Sequence, residues 1–411
     1  MTNTSSRTSN TITTEEWVRH FEGLLNPLVT DEVNISDDDV SVDEPIDEIE
    51  DYIFNSDITE DEIRLSVKHL KAEKKPGPDS IIPEFFMYGG ETLLPILIKL
   101  FNGLFKNGEY PDNWTESIIV TLHKKGDVNN VENYRGISLQ NVLSKVYCGV
   151  LVSRLNFYAY LYDKVSENQG GFKPGYSTVD NAFIIKYLTH RMLKQKRGKL
   201  YIAFIDFQKC FDTIDRTLLW NILKEKGIKG NLFNSLRSMY SSVKSCIRCN
   251  GTTSDPVDSK IGLKQGCLAS PILFLFFIDE LEKMFKQNNA RGIQLHPDTI
   301  QVFLLMFADD LALMADTVGE LQRQLNLLSD FCQNYKLKVN ESKTKVVVFK
   351  NGGVLARHES WTYRNAKLEV VNKFCYLGLL FTRQLSENAM VHELCVKGKR
   401  ILNAMLKSLY N

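Results

Sequence analysis

The sequence lacks several features that mark whole classes of protein. Its eight cysteines have no disulfide-framework spacing, which favours a reducing compartment. Only Cys246 and Cys249 have metal-like spacing, and without a second pair no zinc site is expected. No signal-peptide pattern, membrane-length apolar run or glycine-rich nucleotide loop is found. We therefore expect an intracellular protein without a membrane segment, in the nucleus or the cytoplasm.

The net charge of zero conceals a strong segregation of charge. Residues 1–62 hold 18 acidic residues against only Arg7 and Arg19, whereas the remaining 349 residues carry 48 basic and 32 acidic residues. A surplus of basic residues of this kind favours binding of a polyanion, and nucleic acid is the leading candidate. The alternative is a basic surface that only keeps the protein soluble. The chain is long enough for two or three packed lobes.

Hydrophobic periodicity predicts interleaved helices and strands. Residues 1–12 are expected to be disordered and 31–51 to form a solvated acidic linker. Helices are predicted at 14–25, from a capping box at Thr59 to the break at 75–77, and at 93–105, 139–162, 179–194, 213–226 (capped by Asp215), 232–241, 270–286, 318–335 and 387–409. Strands are predicted at 117–122, 200–207, 243–250, in a hairpin over 301–315, and at 344–349 and 374–381. This order indicates an α+β fold, with an antiparallel or mixed sheet backed by helices.

Three carboxylates stand at strand ends. Asp309 and Asp310 separate two apolar runs and are typical of a hairpin tip, although an isolated pair is also compatible with a solvated turn. Asp206 ends a run that is otherwise typical of a buried strand, so its charge must face a site. If that strand lies beside the hairpin, the three carboxylates could hold two Mg²⁺ ions roughly 4 Å apart for in-line phosphoryl transfer.

Seven or eight sequence blocks, in order, resemble the reverse transcriptases of non-LTR (LINE-type) retrotransposons. The likeness covers about residues 58–381. The blocks are Lys74 to Asp79, His123 to Asp127 with Asn133 to Leu139, Gln169 to Phe172 with Pro174 to Thr178, Asp206 to Asp212, Gly262 to Cys267 with Ser270-Pro271, Phe307 to Asp310, Leu337 to Thr344, and Tyr376 to Gly378. Any single block is weak evidence, but their shared order makes coincidence implausible.

The resemblance implies a right-hand polymerase built of fingers and palm, the palm being an antiparallel sheet backed by helices. Asp206, Asp309 and Asp310 would then ligate two Mg²⁺ ions, with Mn²⁺ as a substitute and the Phe207 carbonyl assisting. Lys343 resembles the lysine that protonates departing pyrophosphate. The expected metal ligands are thus the three aspartates and the Phe207 carbonyl.

The same resemblance implies a nucleotide site. Arg135 would contact the incoming triphosphate, and Lys124 or Lys125 its γ-phosphate side. Phe211 resembles the steric gate that excludes a 2′-hydroxyl and so favours dNTPs, whereas Gln265 would lie over the nucleotide and template base. Without the surrounding blocks, Phe211 would be a core residue and the two lysines a solvated turn.

Template and primer would be bound by two further blocks. Gly266 lets the backbone approach nucleic acid closely, and Tyr376-Leu377-Gly378 resembles the primer grip. The expected division is an acidic segment at 1–57, fingers with an N-terminal extension at 58–198, a palm at 199–381 within a core of about 105–381, and a possible start of a thumb at 382–411. The chain is read as truncated at both ends.

We therefore expect an RNA-directed DNA polymerase that adds dNTPs to a primer 3′-end on an RNA template. A non-catalytic nucleic-acid-binding remnant of such a polymerase is the alternative. An RNA-dependent RNA polymerase is a third reading, against which Phe211 argues because an rNTP site would offer the 2′-hydroxyl polar partners.

Overall fold

A computed structural model describes residues 11–27, 47–249, 251–296 and 300–409. The helices are α1 (Thr14–Leu25), α2 (Glu48–Asn55), α3 (Glu60–Lys68), α4 (Pro83–Asn107), α5 (Asp112–Thr115), α6 (Val142–Leu161), α7 (Thr178–Lys194), α8 (Cys210–Thr213), α9 (Arg216–Glu225), α10 (Gly230–Ser238), α11 (Ser270–Gln287), α12 (Val318–Asn334) and α13 (Glu387–Leu409). The strands are β1 (Glu116–His123), β2 (Tyr134–Leu139), β3 (Leu200–Asp206), β4 (Lys244–Cys249), β5 (Thr252–Thr253), β6 (Val257–Asp258), β7 (Ile293–His296), β8 (Ile300–Val302), β9 (Leu304–Phe307), β10 (Asp310–Ala315), β11 (Lys345–Phe349), β12 (Thr362–Tyr363), β13 (Ala366–Lys367), β14 (Glu369–Val371), β15 (Lys373–Tyr376) and β16 (Leu379–Thr382). Among the described residues, no helix combines the length and apolarity that a membrane crossing requires.

The chain forms two compact units, each drawn from two stretches of sequence. Unit 1 combines residues up to 164 with 211–277, and unit 2 combines 165–210 with 278 onward. The predicted boundaries of fingers and palm stay predictions, because compactness alone assigns neither label.

Unit 1 is organised around a five-stranded sheet. Its strand order is β2-β1-β4-β5, with β6 also paired to β4. The β1–β2 pair is antiparallel and the β1–β4 pair is parallel. Trp17 and Phe21 of α1 are buried against Ile119 and Ile247 of this sheet, so the amphipathic spacing of α1 supplies part of the unit's core.

Unit 2 contains the sheet that carries the predicted carboxylates. Its order is β14-β11-β3-β10-β9, and every pair is antiparallel except β11–β14. Helices α7 and α12 pack on its strands. Because Ile202 and Phe204 of β3 are buried together with Ile185 and Leu188 of α7, the apolar side chains of β3 fix this strand in the middle of the unit.

The prediction of an α+β fold with an antiparallel or mixed sheet backed by helices is confirmed; the parallel pairs are β1–β4 in unit 1 and β11–β14 in unit 2. Helix α1 has the predicted bounds. Thr59 and Glu62 form the predicted capping box of α3, and Asp215 caps α9 by accepting a hydrogen bond from the Leu218 N–H. Short side-chain oxygens at helix starts satisfy backbone donors that the helix leaves open.

Several predicted boundaries were wrong. Helix α3 ends at Lys68, before the proline break. Helix α4 starts ten residues early at Pro83, a favoured first position, and is interrupted at Gly90, whose φ is 46°. The region 213–226 is divided between α8 and α9, because the Asp215 cap begins a new helix. Residues 48–51, predicted as linker, begin α2, whereas the predictions for 1–10 and 31–46 concern residues outside the described part of the chain.

Two further differences concern strands. Residues 374–381 form the hairpin β15–β16, not one strand, because Leu377 and Gly378 adopt positive φ of 47° and 86° and reverse the chain. Residues 134–139, for which no strand was predicted, form β2 along the edge of β1. Neither outcome follows from local periodicity.

Candidate active site

The predicted carboxylates meet on two neighbouring strands of unit 2. Asp310 is the first residue of β10, and its register partner across the antiparallel pair is Asp206, the last residue of β3. Directly opposed residues in such a pair have Cβ atoms about 5 Å apart, within reach of one cation. Asp309 lies beside them in the two-residue turn that joins β9 to β10. The sheet thus brings Asp206 and Asp310 together and holds Asp309 at the tip.

The electrostatics of this pair are those of crowded like charges. Burial, then the charge of Asp309, then that of Asp206 raise the pKa of Asp310 from 3.8 to about 6. The Asp310 residue as a whole is nevertheless exposed to solvent, so screening by water makes this pKa shift an upper bound. The Oδ2 atom of Asp206 is covered and accepts no hydrogen bond. Both observations fit a site for divalent cations, whose preferred ligands are carboxylate oxygens.

Among the described residues, no group of three or more acidic, histidine or cysteine side chains is gathered closely enough to enclose a metal ion. The carboxylates that lie directly opposite each other are those of Asp206 and Asp310, and Asp309 is next to them in the turn.

The segment before β11 is bound to the end of β3. The Asn340 N–H donates to the Asp206 carbonyl at 2.7 Å, and the Asp206 N–H donates to the Thr344 hydroxyl at 3.3 Å. Phe207 forms an isolated bridge with Val339. Lys343 on this segment has its Nζ 3.4 Å from Asp206 Oδ2, too long for a good hydrogen bond but close enough for attraction.

Asn340 and Thr344 were not singled out by sequence reasoning. They lie inside the block Leu337 to Thr344, but nothing in that block indicates that they bind the backbone of Asp206. The sequence block marks this segment as part of the site, but the hydrogen bonds between the segment and Asp206 are tertiary contacts that the block does not reveal. The two residues therefore fix the strand end on which the first carboxylate lies.

The three predicted triphosphate contacts lie on the β1–β2 pair of unit 1. Arg135 of β2 is the register partner of Leu122, and its side chain is exposed. Lys124 and Lys125, also exposed, follow the end of β1, where the Lys124 N–H donates to the Asn133 carbonyl at 2.9 Å. The adjoining strands thus present three basic side chains on one hairpin.

The predicted gate and the predicted template residue lie in unit 1, on two segments that are hydrogen-bonded to each other. The Phe211 ring stacks on Phe274, with centroids 4.4 Å apart and planes 18° apart. The Gln265 amide donates to both carboxylate oxygens of Asp212 at 2.7 Å. The Leu263 N–H also donates to the Phe211 carbonyl at 2.7 Å. Asp212 therefore orients Gln265.

Gly266 has a φ of 111°, and a Cβ there would lie 2.9 Å from the Ser138 carbonyl oxygen. The Ser138 N–H donates to the Gln265 carbonyl at 2.7 Å, which holds this turn against β2. Only glycine adopts this conformation without strain or clash. The close contact seen at Gly266 is with the protein's own strand β2, and its approach to nucleic acid stays a prediction.

The predicted primer-grip residues differ in exposure. Tyr376 is buried in the core of unit 2, where its hydroxyl accepts a hydrogen bond from Asn181, and burial raises the pKa of that hydroxyl. Leu377 and Gly378 form the turn of the β15–β16 hairpin, and Gly378 is exposed. Of the three, the turn residues are therefore the ones available to a bound strand.

A family described as "Reverse transcriptase (RNA-dependent DNA polymerase)" matches residues 122–381, well over half of the chain. The Transposon TX1 uncharacterized 149 kDa protein of Xenopus laevis is 27% identical over 70% of this chain. A Retrovirus-related Pol polyprotein from a type-2 retrotransposable element of Drosophila melanogaster is 28% identical over 72%, and the RNA-directed DNA polymerase from mobile element jockey of Drosophila funebris is 23% identical over 80%.

The chain spans only part of these relatives: 22%, 27% and 36% of their respective lengths. A solved structure of apo telomerase from Candida Tropicalis, truncated from the C-terminal domain, aligns with a TM-score of 0.46 at 14% identity. That alignment covers 70% of this chain and 60% of the telomerase chain.

Proposed function

Since the chain belongs to the reverse transcriptase (RNA-dependent DNA polymerase) family, with relatives among non-LTR retrotransposon polymerases, we propose that it is an RNA-directed DNA polymerase. The proposed reaction adds dNTPs to the 3′-end of a DNA primer on an RNA template. It forms a new phosphodiester bond and releases pyrophosphate.

The observation that carries the proposal is the register of β3 and β10. Asp206 and Asp310 come from residues 104 positions apart, yet they are direct partners across one antiparallel pair. A solvated turn would need no second acid opposite it. Opposed carboxylates on rigid strands repel each other unless a cation lies between or near them. The pair therefore does not stabilise the fold by itself, and its position indicates a functional site.

Asp206, Asp309 and Asp310 would hold two Mg²⁺ ions, or Mn²⁺ in their place, with the Phe207 carbonyl as a further oxygen ligand. The ions would lower the pKa of a primer 3′-hydroxyl and neutralise the triphosphate. The chain's own contribution is to hold the carboxylates of Asp206 and Asp310 opposite each other before substrate binds. Two observations support this assignment: Oδ2 of Asp206 accepts no hydrogen bond, and the pKa of Asp310 is raised.

Lys343 is proposed to hold a proton for the departing pyrophosphate. Its Nζ is near Asp206 but exposed, so it can turn toward a ligand without leaving the segment that Thr344 and Asn340 anchor. Loss of this ammonium should slow bond formation more than it weakens nucleotide binding. The proposal rests on proximity to the carboxylate and on the family resemblance of the block.

Arg135 and the lysine pair Lys124 and Lys125 are proposed to bind the triphosphate. A guanidinium fork suits two phosphate oxygens, whereas an ammonium acts as a point charge. Phe211, fixed by its stack on Phe274, is proposed to exclude the 2′-hydroxyl of rNTPs. A ring held on one side by a second ring cannot easily move to admit an extra oxygen.

Gln265, Gly266 and the turn at Leu377 and Gly378 are proposed to contact template and primer. The surplus of basic residues after position 62 should dominate affinity for the sugar–phosphate backbone, so binding should weaken steeply with salt. Tyr376 would act from the core by supporting that turn.

The test is a primer-extension assay with an RNA template, a DNA primer and Mg²⁺, given either dNTPs or rNTPs. The proposal expects extension with dNTPs by the native chain and none by an Asp309→Ala/Asp310→Ala variant of equal stability. Salt-sensitive template binding without extension would instead support the non-catalytic remnant. Preferred use of rNTPs would support an RNA-dependent RNA polymerase.

A further inference from the structure

The turn that carries Asp309 begins with an unusual residue. Ala308 has a φ of 54°, and it is the first of the two residues linking β9 to β10. Two-residue hairpin turns with positive φ only at this position ordinarily have glycine there. For an L-residue such a conformation is strained, so the surrounding structure must hold it in place.

Gln169 provides that support from within unit 2. Its side chain is fully buried, and its Oε1 accepts hydrogen bonds from the Ala308 N–H at 2.9 Å and the Gly171 N–H at 2.7 Å. Two N–H donors require an oxygen, which settles the orientation of the amide. The Nε2 atom has no hydrogen-bond partner in the described part of the chain, so the acceptor atom carries the contact.

The backbone around Gln169 is itself fixed to the hairpin. Gln169 forms a parallel bridge with Met306, the Met306 N–H donates to the Asn168 carbonyl at 2.8 Å, and the Gly170 N–H donates to the Met306 carbonyl at 2.9 Å. A Cβ on Gly171 would clash with the Ala308 backbone. The segment therefore lies directly against the turn, and its position defines where Ala308 can be.

We propose that Gln169 is a positioning residue for the carboxylates: by holding the Ala308 amide it fixes the direction in which Asp309 and Asp310 leave the turn. The inference rests on the proposed function only in taking those carboxylates as the cation site. A purely structural glutamine would contribute stability alone. A positioning glutamine also sets cation affinity and the rate of the chemical step.

Gln324 offers a matched control in the same unit. It is also fully buried, and its Nε2 donates to the carbonyls of Met314 at 2.9 Å and Arg291 at 2.7 Å. Gln169→Met and Gln324→Met each remove two hydrogen bonds to backbone with a side chain of similar length. Met314 is near the far end of β10 from Asp310, so the second change should not disturb the turn.

Both variants would be compared with the native chain by Mn²⁺ binding, thermal unfolding and primer extension. The expected result is that both lower the melting temperature, but only Gln169→Met weakens Mn²⁺ binding and lowers kcat by about tenfold or more, with the KM for dNTP changed less than about threefold. Equal effects of the two substitutions on Mn²⁺ affinity and kcat would overturn the proposal. Gln169→Asn, which keeps an amide but is one methylene shorter, replaces Gln169→Met if that variant does not fold.

A rescue sharpens the test. Ala308→Gly removes the strain that Gln169 offsets, so in the Gln169→Met background it should recover Mn²⁺ affinity at least about threefold. No recovery would count against the positioning role.

Hydrogen exchange at the Ala308 amide separates this proposal from the proposed function. The amide should be protected in the native chain and exposed in Gln169→Met. Equal, fast exchange in both would overturn the role of Gln169, whatever the extension assay shows. A native chain that fails to extend primers but shows this protection and the loss of Mn²⁺ affinity in Gln169→Met would reject the polymerase activity and keep the inference.

Discussion

Lowering the pH from 7 to 5 should weaken the binding of divalent cations by this chain. The pKa of Asp310 is raised to about 6 by burial and by Asp309 and Asp206. A cation must displace the proton that Asp310 holds below that pKa, so affinity falls as the pH drops through 6. In the cation-free chain the sign is that of a raised carboxyl pKa: the folded state holds the proton more tightly than the unfolded state, and stability falls as the pH rises from about 4 through 6.

The size of the effect follows from proton competition. A ligand with a pKa of about 6 weakens apparent affinity about elevenfold at pH 5 and only about 1.1-fold at pH 7. An ordinary carboxyl with the pKa of 3.8 would give about 1.1-fold at pH 5. Because Asp310 is solvent-exposed, the elevenfold figure is the upper end, and a change of at least about threefold is expected.

Mn²⁺ binding to the native chain, followed by electron paramagnetic resonance between pH 5 and 7, measures this change directly. The control is Asp310→Asn, which cannot hold the proton and should bind Mn²⁺ more weakly but with little dependence on pH. Mn²⁺ affinity that does not change with pH in the native chain, or that changes equally in Asp310→Asn, would show that protonation of Asp310 does not control cation binding.

Three further perturbations test other contacts. Phe211→Ala should reduce the discrimination of dNTPs over rNTPs by about tenfold or more while Phe211→Tyr retains it; unchanged discrimination in steady-state kinetics would remove the gate assignment. Asp212→Asn takes away one of the acceptors that orient the Gln265 amide, so the KM for dNTP should rise by about threefold or more, and an unaltered KM would argue against that role. Arg154→Met leaves the carboxylate of Glu62 without its buried partner and should lower the free energy of unfolding in urea by about 3 kcal/mol, with extension per folded molecule unchanged; a loss below about 1 kcal/mol would contradict the buried-pair argument.

Local signals predicted the elements whose boundaries are set by local chemistry. The capping side chains of Thr59 and Asp215 mark helix starts because they satisfy the first backbone donors of the helix they precede. The continuous apolar run of β3 marks a strand that is buried on both faces. In these places sequence and structure agree because the interactions involve neighbours along the chain.

The remaining elements depend on contacts across the chain. Leu377 bears no turn signature of its own, yet its positive φ, together with that of Gly378, converts one apolar run into a hairpin packed against the core. β2 exists because β1 pairs with it. Neither effect is visible in the periodicity of the segment concerned.

The candidate site divides in the same way. The ends of strands identified Asp206, Asp309 and Asp310 as candidates, but their register across β3 and β10 is a tertiary fact. The hydrogen bonds from Gln265 to Asp212, and from the Ala308 amide to Gln169, join residues 53 and 139 positions apart, and no local pattern predicts them. Sequence blocks therefore located the chemistry, and packing determined which side chains orient it.

Anomalous scattering from crystals of the chain grown with Mn²⁺ would show whether Asp206 and Asp310 form one cation site on adjacent strands. We expect an anomalous peak bound by the carboxylates of Asp206 and Asp310, and loss of that peak in Asp206→Asn, if they form it. Mn²⁺ bound only elsewhere, or a peak at this position that persists in Asp206→Asn, would contradict this expectation.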